Sequence, residues 1–185
     1  TLLGKHTLGR VSTAALATFD SRNLYIGFVC HEPDMNRLVV RQKDRDGEIW
    51  RDDSVEVFLS PRRNEEYYHL VANAAAVQYD ETRRAAPESW NAKWRCEVQR
   101  ETDRWTVEIS LPFSQVGAGV PKPGATWNVS FCRNRLVRSA SRWPRLRWYL
   151  LRSRTTPSRF FMPRLRRARS WSLAMGTLIK TSASN

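Results

Sequence analysis

Hydrophobic and polar positions alternate with a period of two along most of the first 132 residues, the pattern of strands with one apolar and one polar face. The segment LYIGFVCH puts Leu24, Ile26, Phe28 and Cys30 on one face, and TAALATF alternates more weakly around Ala15, Ala17 and Phe19. In SVEVFLS, Val55, Val57 and Leu59 alternate with Ser54, Glu56 and Phe58. YYHLVANAAAVQYD reads as two short strands meeting near Ala74–Ala76. AKWRCEVQ aligns Trp94, Cys96 and Val98, and RWTVEISLPF aligns Trp105, Val107, Ile109 and Leu111. TWNVSFC aligns Trp127, Val129 and Phe131. The turn DSRN separates the first two strands, and RETD is a hairpin-length loop between 93–99 and 104–111. Helical pieces are expected only as single turns near Met35–Val40 and Phe113–Val116. Short strands at regular spacing predict an all-β fold, a sandwich or a barrel.

Composition changes this picture in one place. The 185-residue chain is 41% hydrophobic, enough for a core, and carries a net charge of +13. From Arg133 to the C-terminus there are 13 arginines and Lys180 with no acid, which leaves the earlier residues with 17 basic and 18 acidic side chains. The excess therefore belongs to the end of the chain. The expected organisation is a sandwich over residues 1–135 and an Arg-rich segment over 136–185. Three readings of that segment are open. It is the product of a shifted reading frame, a genuine disordered basic extension, or a divergent folded ending of the same domain. The first expects another forward frame, from about codon 136, to encode acids and a closing apolar strand, since folded surfaces mix both signs. The second would make nucleic acid or another anionic surface the partner. No apolar run approaches the roughly 20 residues of a membrane span. The chain starts at Thr1 without methionine, the mark of a cut or missing start; no signal peptide is visible.

Candidate chemistry is concentrated in IWRDDSVEVFL, where a tryptophan and two aspartates enter a strand that carries a glutamate. Five segments in order resemble the family 9 carbohydrate-binding modules and their relatives: DSRNLYIGFVCHEPD, IWRDDSVEVFLSP, EYYHLVANAAAVQYD, WNAKWRCEVQRETDRWTVEISLPFSQVG and PKPGATWNVSFCRNR. The most specific is W-x-D-D-S-V-E-V-F-L. The resemblance spans about residues 13–135. It implies a sugar-binding antiparallel β-sandwich, jelly-roll-like, secreted or periplasmic, acting in the breakdown of polysaccharides such as xylan, often joined to a glycoside hydrolase. Its partners would be monosaccharides, oligosaccharides or polysaccharide ends.

By that resemblance Trp50 is the stacking platform and Glu56 the hydroxyl acceptor. The chemistry fits, because an indole covers the C–H face of a pyranose and a carboxylate accepts from neighbouring hydroxyls. Trp143 falls about where the family's second tryptophan belongs. Asn73, on the next strand, offers a donor and an acceptor. His69 shares a strand face with Tyr67, Val71 and Asn73, and lines the same surface or is a plain surface histidine. Asp52 and Asp53 cap the turn, act as acids, or join Asp20 and Asp80 around a structural calcium, which some family members hold; two adjacent aspartates are too few alone. No catalytic motif, metal-binding pattern or cofactor-binding motif is present, so the expectation is a non-catalytic module. Cys30 and Cys96 read as buried thiols; with Cys132 the count is odd, and a single disulfide is not deducible.

Overall fold

The structure, a computed structural model, describes residues 11–62, 67–83, 90–136, 149–152 and 171–173. Ten strands form two antiparallel sheets among these residues. The strands are β1 (Thr13–Phe19), β2 (Asn23–His31), β3 (Ser54–Ser60), β4 (Tyr68–Asn73), β5 (Gln78–Thr82), β6 (Arg95–Arg100), β7 (Arg104–Pro112), β8 (Thr126–Asn134), β9 (Tyr149–Arg152) and β10 (Trp171–Leu173). One sheet has the order β10-β1-β2-β7-β6 and the other β5-β4-β3-β8-β9. Of the two all-β architectures that the alternation allows, the sandwich is the one observed. Among the described residues three short 3-10 turns interrupt it, at Met35–Arg37, Ile49–Arg51 and Phe113–Val116. Among the described residues no helix is long and apolar enough to cross a membrane.

The alternating apolar residues meet between the sheets. Leu24, Ile26, Phe28 and Cys30 of β2, Trp105, Val107, Ile109 and Leu111 of β7, and Val55, Val57 and Leu59 of β3 belong to a single buried cluster. Phe28 and Phe131 cross from one sheet to the other edge-to-face, with centroids 5.6 Å apart, a preferred aromatic geometry. The Arg-rich segment contributes two edge strands: β9 pairs with β8, and β10 with β1. Residues 137–148, 153–170 and 174–185, which hold Trp143 and most of that segment's arginines, lie outside the described residues.

Strand β8 shows how the two faces diverge. Its Arg133 reaches the end of the core, with the guanidinium 5.7 Å from the Trp105 ring centre. Arg133 Nη1 donates to the His31 carbonyl at 2.8 Å, and Arg133 Nη2 to Glu32 Oε2 at 3.1 Å. Just beyond the strand, Arg135 grips the same carboxylate through two nitrogens, at 2.6 and 2.9 Å. Glu32 is fully buried, and chiefly the Arg135 contact, against the opposing effect of burial, holds its pKa below the usual carboxylate range. Since β2 and β8 lie in different sheets, this cluster pins one sheet to the other. The three cysteines are free. Burial pushes the Cys30 and Cys96 thiols up to about 12 and Cys132 to about 11, so none supplies a ready thiolate.

Candidate functional site

The chain that leads into β3 is tied down before it becomes a strand. Ile49 is fully buried and anchors the 3-10 turn, while neighbouring Trp50 stays partly exposed. Asp52 accepts backbone N–H bonds from Arg41 at 3.0 Å and Gln42 at 2.9 Å, and Asp53 from Val39 at 2.8 Å and Leu136 at 3.3 Å. Both aspartates are wholly buried. A carboxylate satisfied by N–H donors needs no other charge partner, so of the roles open to this pair, fastening the turn is the one observed.

Asn73 belongs to the same fastening. Its Nδ2 donates to Asp52 Oδ2 at 3.0 Å and to the Gln42 carbonyl at 3.2 Å, and its Oδ1 accepts from Ala75 and Val77 N–H at 3.0 and 2.9 Å. With the side chain at 0% exposure, two donated and two accepted bonds use its whole capacity. Asn73 therefore shapes the β4–β5 turn, where Ala76 takes a left-handed φ of 63°, an uncommon conformation for a residue with a Cβ.

The other aspartates weighed for calcium are elsewhere. Asp20 accepts from the backbone N–H groups of Arg22 and Asn23 and from the Tyr25 hydroxyl at the β1–β2 turn. Asp80 accepts from Ala92 N–H, Trp94 Nε1–H and Arg45. No group of three or more His, Cys, Asp or Glu side chains is assembled for a metal among the described residues. These carboxylates face N–H donors and, at Asp20, a tyrosine hydroxyl, and the donor set does not fit a calcium ion, which takes six to eight oxygens.

What the fold does assemble is a polar row across the outer face of the second sheet. The register pairs Phe58 of β3 with His69 of β4, and His69 with Glu81 of β5. Glu56, one pleat along β3, reaches His69 diagonally, a spacing long side chains can bridge. Glu56 Oε2 lies 2.7 Å from His69 Nε2, and Glu81 Oε1 lies 3.1 Å from His69 Nδ1. Asn134 of β8 donates through Nδ2 to Glu56 Oε1 at 2.6 Å and to Ser54 Oγ at 3.1 Å. Tyr79 donates its hydroxyl to Glu81 Oε2 at 2.8 Å. Phe58 stacks on the imidazole with centroids 3.9 Å apart and planes 11° from parallel. At the end of the row Trp50 meets Tyr79 edge-to-face, with centroids 5.1 Å apart.

Of the residues expected at a site, Trp50, Glu56 and His69 thus come together, with Trp50 partly exposed and Glu56 and His69 buried beneath it in the row. Asn73 lies in the turn beside them, and Trp143 falls outside the described residues. Glu81, Tyr79, Phe58 and Asn134 are additions. The first two had a signal in the sequence, since Tyr79 and Glu81 share one face of a period-two strand. Asn134 had only its place inside R-N-R.

The fold is a two-sheet antiparallel sandwich with an aromatic-ended polar row on one sheet. The model of the carbohydrate family 9 binding domain-like family matches residues 4–149. The chain belongs to that family. A Bacteroides uniformis protein with an inferred carbohydrate-binding role is similar in structure, at a TM-score of 0.58 and 15% identity, over 72% of this chain and 67% of that one. A family 9 carbohydrate-binding module from Caldicellulosiruptor kristjanssonii, in complex with glucose, is similar at a TM-score of 0.53 and 17% identity, over 77% of this chain and 70% of that one. These likenesses are of fold. No curated protein matches the chain.

Proposed function

We propose that the outer face of the β5-β4-β3-β8 sheet holds the end of a sugar chain, without catalysis. Trp50 is the platform for the apolar face of one ring, and Glu56 accepts from its hydroxyls. His69 and Glu81 line the same surface, and Trp143 is the second platform. Asn73 acts indirectly, by fixing the turn that sets Trp50 beside β3. The observation that carries this reading is the partly exposed Trp50 standing against Tyr79 at the end of the Glu81–His69–Glu56–Asn134 row. Aromatic surface beside oriented acceptors is what a pyranose, apolar on its faces and polar at its rim, requires. The family match supports sugar as the ligand class, and the glucose complex of the Caldicellulosiruptor module supports a small sugar as the first probe. The role fitting such a module is to hold a polysaccharide such as xylan for breakdown, outside the cell or in the periplasm, joined to a glycoside hydrolase.

Calorimetric titration of the full chain with glucose and with xylan-derived oligosaccharides tests this reading. Glu56→Gln keeps the shape and removes the charge. It is expected to weaken binding by about 1–2 kcal/mol, the margin of a charged over a neutral hydrogen bond. Equal affinity in the two proteins would remove Glu56 from the site. The Arg-rich segment supports a second reading, binding of nucleic acid, through its 11 arginines and no acid. Retention on DNA that is lost with added salt, with no sugar bound, would favour it.

A further inference from the structure

Both ring nitrogens of His69 face carboxylate oxygens, Glu56 at 2.7 Å and Glu81 at 3.1 Å. A neutral imidazole carries one N–H and can satisfy one of them; only the imidazolium donates to both. With the proton gone, one nitrogen lone pair would face a carboxylate, an acceptor against an acceptor. The two arms are not equal. The Glu56 side chain is 5% exposed and also held by Asn134, whereas that of Glu81 is 29% exposed and its other oxygen is held by the Tyr79 hydroxyl. Deprotonation therefore leaves the buried Nε2–Glu56 bond in place and frees the Glu81 arm. That arm leads through Tyr79 to Trp50, 5.1 Å away ring to ring.

We infer that His69 is a positioning residue and proton switch: its imidazolium ties the Glu56 acceptor to the Glu81–Tyr79–Trp50 arm, and loss of the proton loosens the platform from the acceptor. The inference rests on the proposed sugar site and specifies how that site is regulated. The groups facing His69 are Glu56 from β3, Glu81 and Tyr79 from β5, and the uncharged Phe58 ring; Cys132 of β8 stands across from Glu56. Burial by itself would push the His69 pKa down, but the bonds to Glu56 and Glu81 outweigh it and raise the group above its ordinary 6.5. The bond to His69, against burial, in turn holds Glu81 below the usual range. With a raised folded pKa, the protonated arrangement contributes fully below pH 6.5 and is lost as pH rises through the folded value.

The experiment is carried out on the full chain from about pH 5.5 to about pH 9, the range around histidine titration. Imidazole NMR signals follow the His69 proton. The Trp50 indole N–H signal, identified by its loss in Trp50→Phe, follows the platform, and glucose titrations follow affinity. The expected result is a shift of the Trp50 signal with the His69 midpoint, and glucose binding roughly fivefold or more weaker on the alkaline side, a typical coupling. Glu81→Gln should make both responses flat, because an amide can accept from the imidazolium or donate to the neutral ring. A Trp50 signal that stays in place while His69 titrates overturns the inference. So does a glucose affinity that is flat with pH, or a pH response that survives in Glu81→Gln. If glucose binds at no pH, the sugar reading fails on its own, and the Trp50 signal still decides whether the switch exists.

Discussion

Glu32→Ala is expected to destabilise the domain by about 3 kcal/mol, measured as a lower denaturation midpoint in urea. Glu32 is 0% exposed and receives both Arg133 and Arg135. Removing it leaves the Arg133 guanidinium, with a side chain 7% exposed, beside the Trp105 ring and without its ion-pair partner. Breaking a buried pair costs about 3–5 kcal/mol because the remaining charge is stranded. The low end applies because Arg135 is a quarter exposed and can turn to water. Arg135→Ala should therefore cost less than Glu32→Ala. An unchanged midpoint in Glu32→Ala would show that the cluster does not hold the sheets together.

Trp50→Ala is expected to weaken glucose binding by about 2 kcal/mol, roughly 30-fold, while the protein keeps a cooperative melt. The estimate follows from a stacked ring face removing on the order of 80 Å² of apolar surface from water at about 25 cal/mol per Å². A tryptophan of the core would respond differently, since its truncation costs about 3–5 kcal/mol of stability. Trp50 is partly exposed, on a turn whose anchor is the buried Ile49. Thermal melting and titration of one variant separate the cases. A folded variant with undiminished affinity removes Trp50 as the platform; a variant that fails to fold makes it a core residue.

The sequence was legible wherever a property repeats along a single strand. Val55, Val57 and Leu59 point inward and Glu56 outward because side chains alternate, and no knowledge of neighbours is needed. The turns at Phe113–Val116 and Met35–Arg37 were readable for similar local reasons. What could not be read was anything set by pairing between strands. Asn134 meets Glu56 only because Ser54 lies opposite Asn134 in the β3–β8 register. Glu81 meets His69 only through the β4–β5 register. Asn73 looked like a ligand by residue type, but its amide oxygen is consumed by the turn that follows, at Ala75 and Val77. Asp52 and Asp53 left three roles open, turn cap, acid or calcium ligand, because a carboxylate in a sequence does not reveal which N–H groups the folded chain will aim at it.

The alternation along β8 has a consequence for how this protein can change. Arg133 serves the bond between the sheets, the next residue, Asn134, serves the outer face, and Arg135 returns to the bond. A one-residue insertion or deletion between Trp127 and Asn134 would reverse the sidedness of all that follows, because a slip by one moves every side chain to the opposite face. Arginines would then stand against the carboxylate row, and an amide would stand where Glu32 needs charge. Cohesion and recognition would fail in one genetic event. The β6–β7 turn at Glu101–Asp103 has exposed residues, and only its Asp103 carbonyl, which accepts from Glu32 N–H at 2.8 Å, touches the bond between the sheets, so length can vary ahead of that residue. Lineages of this module should therefore diverge by substitution along β8 and by length at that turn, and a library that randomises length should respect the same division.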